Sequence, residues 1–232
     1  MLEKIAIVTG GSSEIGKAII EKLLGDGIGV AAQYNSNQIN IKNENLIPIQ
    51  CSFENQMEVE NFIKKVLSLE FSIGYLVNSA GYIENNSFLN TNSEDLRRVF
   101  EVNLFAHIQL MQRIFPNMCE LEFGRIVTLS SIGVKYSGSQ NSVYYSASKV
   151  ALEAVTRSFA KFGAGKNVLC NNIRVGVIDT KIHHRKNMQE RMEKIPLKRF
   201  GTTQDIAEMV SFLCSERANF ITGQEIAVSG GE

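Results

Sequence analysis

The sequence predicts an α/β fold: a single doubly wound domain whose mostly parallel, seven-stranded sheet carries helices on both faces. Two observations predict it. Short apolar runs alternate with stretches whose apolar residues recur at helical spacing, as a sheet covered on both faces by crossover helices requires. The chain has 232 residues, of which 44% are hydrophobic, and this is enough for one α/β domain with a sizeable core.

Seven of the apolar runs are predicted to be strands. They cover residues 5–8, 28–34, 46–51, 75–78, 125–129, 168–175 and 225–228. The connection between the second and third strands, residues 35–45, is short, polar and rich in asparagine. A crossover helix with its turns needs about ten residues or more, so we expect a turn or a single helical turn there.

Apolar residues at helical spacing locate the helices between these strands. The first helix follows the first strand, with Ile15, Ile19 and Leu23 on its apolar face, and Gly25 and Gly27 end it. A later helix is predicted to begin at an N-cap formed by Ser93. The inward face of that helix holds Leu96, Val99, Phe100, Asn103 and Leu104.

Charge and composition exclude several classes of protein. Twenty-four basic residues balance twenty-four acidic ones, so nothing in the net charge favours a nucleic acid or an anionic membrane as a partner. No apolar run approaches the ~20 residues of a membrane span, and the N-terminus lacks the zones of a signal peptide. The four cysteines are far apart and the three histidines lack ligand spacing, so we expect no metal site, no disulfide and a cytoplasmic location.

The feature that carries chemistry is Tyr145, followed four positions later by Lys149. Residues four apart share one face of a helix. A phenol titrates near pH ~10, and a neighbouring ammonium lowers that pKa towards the range in which the phenol can exchange protons. A hydroxyl from Ser130 or Ser131 could hold a carbonyl oxygen at the same point. The spacing alone also suits a solvated helix face, so its meaning depends on the rest of the chain.

A glycine-rich turn covers residues 9–16, between the first predicted strand and the first helix, and contains Gly10, Gly11 and Gly16. Glycines allow the backbone to turn tightly and to approach a pyrophosphate, which the free N–H groups of a helix start attract. A plain strand-to-helix turn is the alternative. The position of the turn in the first βα unit favours nucleotide binding.

In order and in approximate spacing, these motifs resemble those of the classical short-chain dehydrogenase/reductases. The resemblance rests on Thr9-Gly10 to Gly16, Asn78-Ser79-Ala80-Gly81, Asn103, Ser131 and Tyr145 to Lys149. The tail, in residues 196–201, 205–207, 221–224 and 230–231, is similar to the 3-oxoacyl-[acyl-carrier-protein] reductase-like branch. The resemblance covers essentially the whole chain and implies a Rossmann-type fold and an NAD(P)-dependent oxidoreductase.

The resemblance implies a role for each catalytic position. Tyr145 would be the general acid or base that exchanges a proton with the substrate oxygen, and Lys149 would depress the pKa of the phenol and bind the nicotinamide ribose. Ser131, rather than its neighbour Ser130, would hold the substrate oxygen. Asn103 would bind a water that links Lys149 to solvent, although a helix-interior asparagine satisfied by the backbone is the alternative.

The resemblance also implies the cofactor site. An acidic residue at the end of the second strand would select NAD(H), and this chain has Gln33, Tyr34, Asn35 and Ser36 there, so NADP(H) is favoured. Positions 12, 13 and 35 hold Ser12, Ser13 and Asn35 rather than an arginine or lysine that would bind the 2′-phosphate of NADP(H). The cofactor residues implied are Gly10, Ser12, Ser13, Ile15, Gly16, Asn35, Ser36, Ser52, Phe53, Asn78, Ala80, Gly81, Tyr145, Lys149, Gly176, Ile178 and Thr180.

Three positions depart from the family pattern. Glu14 stands where glycine is usual. A non-glycine residue at positive φ would cost about 1–2 kcal/mol, and a carboxylate near a pyrophosphate is electrostatically unfavourable. Ser52 replaces a common aspartate, and Val175 replaces the proline of a Pro-Gly pair. These departures motivate the alternative of a nucleotide-binding protein with little or no catalysis, acting as a sensor or a structural subunit.

The resemblance divides the chain into a nucleotide-binding part, roughly 1–120, and a catalytic and substrate part with a lid over 181–199. The lid is rich in basic residues, which suits an anionic small-molecule substrate or, alternatively, a solvated helix face. Glu120 and Glu122 precede Gly124-Arg125, where carrier-protein reductases place a basic residue, and this opposes an acyl-carrier substrate.

The resemblance further implies a homo-oligomer, commonly a tetramer, built through the long fourth and fifth crossover helices and the C-terminal region. Two apolar faces could bury against a second copy or against the sheet of the same chain. Their residues are Phe105, Ile108, Met111, Phe115, Val143, Leu152, Val155 and Phe159.

Overall fold

A computed structural model of the chain describes residues 4–84, 86–180 and 188–232. The strands in these ranges form one parallel sheet in the order β3-β2-β1-β4-β5-β6-β7. The order reverses between β1 and β4, where doubly wound sheets open a binding crevice at the carboxyl ends of the strands. The strands are β1 (Lys4–Val8), β2 (Gly29–Tyr34), β3 (Leu46–Gln50), β4 (Ser72–Asn78), β5 (Gly124–Ser131), β6 (Val168–Val175) and β7 (Glu225–Val228).

Helices connect these strands and cover both faces of the sheet. The α-helices of the described ranges are α1 (Glu14–Gly25), α2 (Gln56–Leu67), α3 (Ser93–Phe100), α4 (Ala106–Glu120), α5 (Val143–Gly163), α6 (Met188–Glu193) and α7 (Thr203–Cys214). None of them is both long enough and apolar enough to cross a membrane.

Successive side chains of each strand point to opposite faces of the sheet, and this divides the core into two apolar clusters. In β1, Ile5 and Ile7 pack into a cluster with apolar residues of α2, α4 and α5. Ala6 and Val8 point the other way and pack with α1 and α7. All four are almost completely buried, because successive side chains of a strand face opposite sides of a sheet that is covered on both.

The sequence-based fold class and all seven strand positions are confirmed. The fourth strand begins at Ser72, three residues before its predicted start, because its first residues pair with Lys4 and Ile5 of β1. The fifth extends to Ser131 by pairing with β6. Residues 35–45 contain no helix, as their length and polarity predict.

The predicted helix around Asn103 differs in two respects. Its N-cap is Asn92 rather than Ser93: the Asn92 side chain accepts a hydrogen bond from the Asp95 amide at 2.8 Å. The helix is also not one continuous α-helix, because a π-helical turn over Glu101–Phe105 joins α3 to α4 and contains Asn103. Such one-turn π insertions lie frequently at functional sites.

The core prediction that follows concerns Leu110, which lies on α4 and is fully buried in the cluster shared with α2 and α5. Leu110→Ala removes buried methyl groups and leaves a cavity, so we expect the free energy of unfolding to fall by about 2–5 kcal/mol in a denaturant titration. The control is Met57→Ala on α2, where the side chain is 71% exposed and a change within about 0.5 kcal/mol is expected. Equal losses in the two variants would contradict this core assignment.

Candidate active site

A cavity of about 560 Å³ opens where the carboxyl ends of the central strands meet. It is lined by the glycine-rich turn after β1, the segment after β4, the ends of β5 and β6, and the first turns of α5. This is the crevice at which the strand order reverses, the usual ligand position in a doubly wound sheet.

The glycine-rich turn fits closely against the end of β4. Gly10 has a φ of +69°, and a Cβ added there would lie 2.8 Å from the Ala80 Cα, so only glycine fits. A Cβ on Gly16 would lie 2.2 Å from the Gly10 carbonyl oxygen. Ser13 caps α1 by accepting a hydrogen bond from the Gly16 amide at 2.9 Å. The two glycines therefore allow the turn to pack closely, and its residues Gly10, Ser12, Ser13 and Ile15 line the cavity.

Glu14 does not strain this turn. It is the first residue of α1 and has no positive φ, so the expected cost of a left-handed backbone does not arise. An acidic residue in the first turn also interacts favourably with the helix dipole. The expected backbone strain at Glu14 is thereby wrong, while the expected repulsion between its carboxylate and a pyrophosphate stays a prediction.

The side chains of Thr9 and Gln33 fix the glycine-rich turn to its neighbours. The sequence analysis gives neither of them this role. The Thr9 hydroxyl oxygen accepts hydrogen bonds from the amides of Ser79 at 2.9 Å and Ala80 at 3.0 Å. Gln33, at the end of β2, accepts a hydrogen bond from the Gly10 amide at 2.8 Å and donates one to the Cys51 carbonyl at 2.6 Å. The polar residue at this strand end is thus committed to the scaffold.

Tyr145, Ser131 and Lys149 meet at one wall of the cavity. The Ser131 hydroxyl is close enough to the Tyr145 phenol to lower its pKa, and the Lys149 Nζ lies 5.8 Å from the centroid of the phenol ring. Lys149 donates a hydrogen bond to the Leu129 carbonyl at 2.9 Å. The four-residue spacing on α5 and the turn that ends β5 therefore bring together the three residues that the sequence selected.

Ser130 and Ser131 have different partners. The Ser130 side chain is buried and donates a hydrogen bond to Glu153 at 2.6 Å, and Glu153 also pairs with Arg174. The hydroxyl of Ser130 is therefore engaged away from the phenol, whereas that of Ser131 is beside it.

Asn103 is buried and its side chain is bound by backbone and side-chain groups. Its Oδ1 accepts a hydrogen bond from the Tyr82 amide at 2.7 Å, and its Nδ2 donates to the Tyr82 carbonyl at 2.8 Å and to the Ser148 hydroxyl at 3.1 Å. Its backbone carbonyl contacts His107 at 3.1 Å. The side chain thus fixes the segment after β4 to α5, and its predicted role in a water relay stays a prediction.

Burial moves the titration of the two reactive groups in opposite directions. It raises the pKa of Tyr145, which the hydrogen bond with Ser131 lowers in part and the charge of Glu84 raises further. It lowers the pKa of Lys149 to about 8, because an ammonium loses its hydration inside the protein. The phenol pKa is therefore raised overall, because desolvation dominates, and the depressing effect expected of Lys149 stays a prediction.

The cavity collects thirteen of the seventeen residues implied for the cofactor. They are Gly10, Ser12, Ser13, Ile15, Asn35, Phe53, Ala80, Gly81, Tyr145, Lys149, Gly176, Ile178 and Thr180. Ser36 lines a second cavity that adjoins the first along α1. Gly16, Ser52 and Asn78 do not line the main cavity: Gly16 supports the turn, the Ser52 amide donates to Glu58, and Asn78 donates to Thr128.

The predicted lid is described only in part, since residues 181–187 lie outside the described ranges. In the rest, three of the four basic side chains have partners. Arg191 pairs with Glu232 and Arg199 with Asp205, and Lys198 donates to the Glu193 carbonyl. These pairs leave less positive charge for an anionic ligand than the composition suggests.

Comparisons with known proteins agree with this geometry. A family model described as "Enoyl-(Acyl carrier protein) reductase" matches residues 10–232. The 3-oxoacyl-[acyl-carrier-protein] reductase FabG of Aquifex aeolicus is 33% identical over 243 residues, covering 98% of this chain and 96% of the relative. The FabG of Staphylococcus aureus (strain N315) is 33% identical over 242 residues, covering 99% and 98%.

Solved structures give the same result. A blue fluorescent protein from a metagenomic library, in complex with NADPH, has a TM-score of 0.89 at 27% identity and covers 99% of this chain and 98% of its own. A 4-hydroxyisoleucine dehydrogenase complexed with NADH has a TM-score of 0.90 at 28% identity, with 98% of both chains covered.

The fold and the relatives together define a Rossmann-type oxidoreductase, with a cavity at the reversal of strand order. More narrowly, the chain belongs to the short-chain dehydrogenase/reductase family, and it is an oxidoreductase acting on alcohol or carbonyl groups.

The buried charge of Lys149 predicts a pH-dependent cost in stability. Its pKa is about 8 in the folded chain and 10.5 in the unfolded reference, so the cost is fully present below about pH 8 and disappears as the pH rises through 10.5. We expect Lys149→Met to shift the free energy of unfolding upward by about 2 kcal/mol more at neutral pH than near pH 10. Denaturant titrations at the two pH values measure this difference.

The matched control is Lys161→Met, which removes an exposed lysine from the same helix. The stability change of that variant should not depend on pH in this way, since an exposed ammonium keeps its hydration. A pH-independent effect of Lys149→Met would show that the ammonium is not desolvated.

Proposed function

We propose that the chain is an NADP(H)-dependent carbonyl reductase or alcohol dehydrogenase in which Tyr145 exchanges a proton with the substrate oxygen. The observation that carries the proposal is the meeting of Tyr145, Ser131 and Lys149 at the wall of the cavity that the glycine-rich turn also lines. General acid–base catalysis needs a proton donor within hydrogen-bond reach of the reacting oxygen.

The cavity fits a dinucleotide. Gly10 keeps the backbone at the start of α1 bare, and the N–H groups of that helix start are suited to a pyrophosphate. Gly81 keeps side-chain atoms away from Lys149: an added Cβ would lie 3.7 Å from Nζ, in van der Waals contact with it, so the glycine leaves that position to a ribose hydroxyl. When bound, the nicotinamide supplies or accepts the hydride.

The residues of the chain handle the proton. Ser131 holds the carbonyl oxygen, and Tyr145, whose pKa is raised above its ordinary value by burial, keeps its proton at neutral pH and donates it as the hydride reaches the carbon. Lys149 binds the ribose, and Asn103 lies behind it, where a water could return a proton from solvent. In the oxidative direction the phenolate accepts the proton, which requires alkaline pH.

The preference for NADP(H) rests on the end of β2. No carboxylate stands among residues 33–36 to bind a ribose 2′-hydroxyl and repel a 2′-phosphate. The Gln33 amide is already bound, so Asn35 and Ser36 remain as the polar groups of this strand end beside the two cavities. A similar structure holds NADPH and another holds NADH, so the cofactor has to be tested directly.

The substrate we favour is a small ketone or secondary alcohol. Reduction of a 3-oxoacyl group on a carrier protein is the second candidate reaction. The 33% sequence identity to two FabG relatives favours it. Two features oppose this reaction. Glu122 forms a salt bridge with Lys166, and the buried Arg125 guanidinium donates hydrogen bonds to the Asn167 carbonyl and the Asn219 side chain. Neither therefore offers a free cation to an acidic carrier. Turnover of a free β-keto ester without the carrier, and none with it, would decide for the small molecule.

We further propose a cytoplasmic homo-oligomer built on α4 and α5. Met111 and Leu152 are fully buried within the chain and so cannot contribute. Phe105 and Phe162 keep exposed apolar surface, which a second copy could cover. Ultracentrifugation at several concentrations tests this assembly.

Tyr145→Phe removes the proton donor and leaves the ring. We expect turnover of any accepted carbonyl substrate to fall by roughly two to four orders of magnitude, with NADPH binding retained. The matched control is Tyr144→Phe, because the neighbouring hydroxyl binds the Phe88 carbonyl instead. Unchanged turnover in Tyr145→Phe would refute the mechanism, and failure of the parent chain to bind either cofactor would refute nucleotide binding itself.

Asn35→Asp places a carboxylate at the end of β2. We expect the ratio of NADH to NADPH affinity to rise about tenfold or more, because the new charge repels a 2′-phosphate and accepts hydrogen bonds from a 2′-hydroxyl. Fluorescence titration with each cofactor measures the ratio. Asn43→Asp adds the same charge to the same connection but not to either cavity, and an equal shift in that variant would contradict a site at Asn35.

A further inference from the structure

Glu84 is a buried carboxylate in the segment between β4 and α3. Its residue is only 2% exposed, and within the described ranges it belongs to no salt bridge. Burying a carboxylate without compensating partners is costly. Its partners therefore indicate what this side chain does.

Those partners are the first amides of the helix that carries Tyr145. Glu84 Oε1 accepts hydrogen bonds from the Tyr144 amide at 2.9 Å and the Tyr145 amide at 3.2 Å, and Oε2 accepts from the Tyr145 amide at 3.2 Å. The N-cap residue Ser142 makes no capping hydrogen bond with its side chain. A carboxylate from sixty positions earlier thus satisfies the free amides of α5 and interacts favourably with its dipole.

We propose that Glu84 is a positioning residue: it fixes the first turn of α5, and with it Tyr145, and it places a negative charge beside Tyr145. This extends the proposed function, on which the catalytic part of the inference rests. The placement and the effect on the phenol proton do not require turnover.

The positioning part follows from a continuous set of contacts. Asn103 holds the Tyr82 backbone on both sides, so the segment reaches Glu84 from a fixed point. Glu84 then ties it to α5 at Tyr145, and Ser148 on the same helix contacts both Asn103 and the Tyr145 carbonyl. The phenol is therefore located from outside its own helix as well as from within it.

The electrostatic part follows from the groups that face the phenol. Lys149 on α5 lies beside the phenol ring, Ser131 at the end of β5 interacts with the phenol, and Glu84 in the segment after β4 carries its carboxylate at the Tyr145 amide. Behind Lys149 lies His107, which burial keeps neutral with a pKa of about 3. Burial is the largest cause of the raised phenol pKa, and the Glu84 carboxylate adds to it, since a negative charge disfavours a second one nearby.

Glu84→Gln separates the two parts, because the amide keeps the shape and one acceptor oxygen but loses the charge. The direct measurement is the pH titration of the Tyr145 Cζ resonance in isotope-labelled protein, assigned as the signal that Tyr145→Phe removes. We expect the midpoint to move down by about half a pH unit or more. The pH at which alcohol oxidation begins should move down by the same amount.

Glu84→Ala removes the cap as well and should lower the melting temperature by several degrees, whereas Glu84→Gln should lower it less. Glu94→Gln, which removes an exposed carboxylate from the first turn of α3, controls for general charge loss and should leave the Tyr145 midpoint unchanged.

An unchanged or raised midpoint in Glu84→Gln overturns the inference. The inference is also overturned if activity falls equally at every pH and the midpoint of the pH–activity profile does not move, since that result marks a merely structural role. A lowered midpoint in a chain without Tyr145-dependent turnover supports the inference on the phenol proton while refuting the proposed function. The two failures are therefore distinguishable.

Discussion

The close packing of the glycine-rich turn against the segment after β4 is the constraint on which the rest of the site depends. Gly10 admits no side chain toward Ala80, and the Thr9 hydroxyl accepts both amides of Ser79 and Ala80. Because the strand order reverses here, this contact sets the width of the crevice. Every later element of the site is placed from it: the segment leads to Asn103 and Glu84, and these in turn locate α5.

The site combines buried groups that would be unfavourable one at a time. Lys149 is desolvated with a carbonyl as its hydrogen-bond acceptor, Glu84 is held by amides, and His107 stays neutral. Each has a polar partner, as buried polar groups must, yet together they lower stability relative to an apolar core. The apolar core on both faces of the sheet offsets this loss of stability. Such a loss at a site agrees with the general conflict between stability and activity.

Periodicity and strand-end chemistry predicted most of this arrangement. The apolar runs predicted all seven strands, the helical spacing placed Tyr145 and Lys149 together, and the family resemblance added Ser131 to the same wall of the cavity. The π-helical turn around Asn103 could not be predicted, since no residue in it breaks the helical pattern. Nor could the contacts of Gln33 and Glu84, which depend on tertiary neighbours. The pKa of Tyr145 was predicted in the wrong direction because spacing shows the nearby charge but not the burial.

The π-helical turn of Glu101–Phe105 has a consequence for how the family can vary in length here. A regular α-helix advances about 100° per residue, so deleting one residue from this turn would rotate α4 by that angle relative to α3. The deletion would turn Asn103 away from the Tyr82 backbone or carry the buried face of α4, with Leu110 and Ile114, out of the core. A relative lacking that residue would have to rebuild either the site or the core.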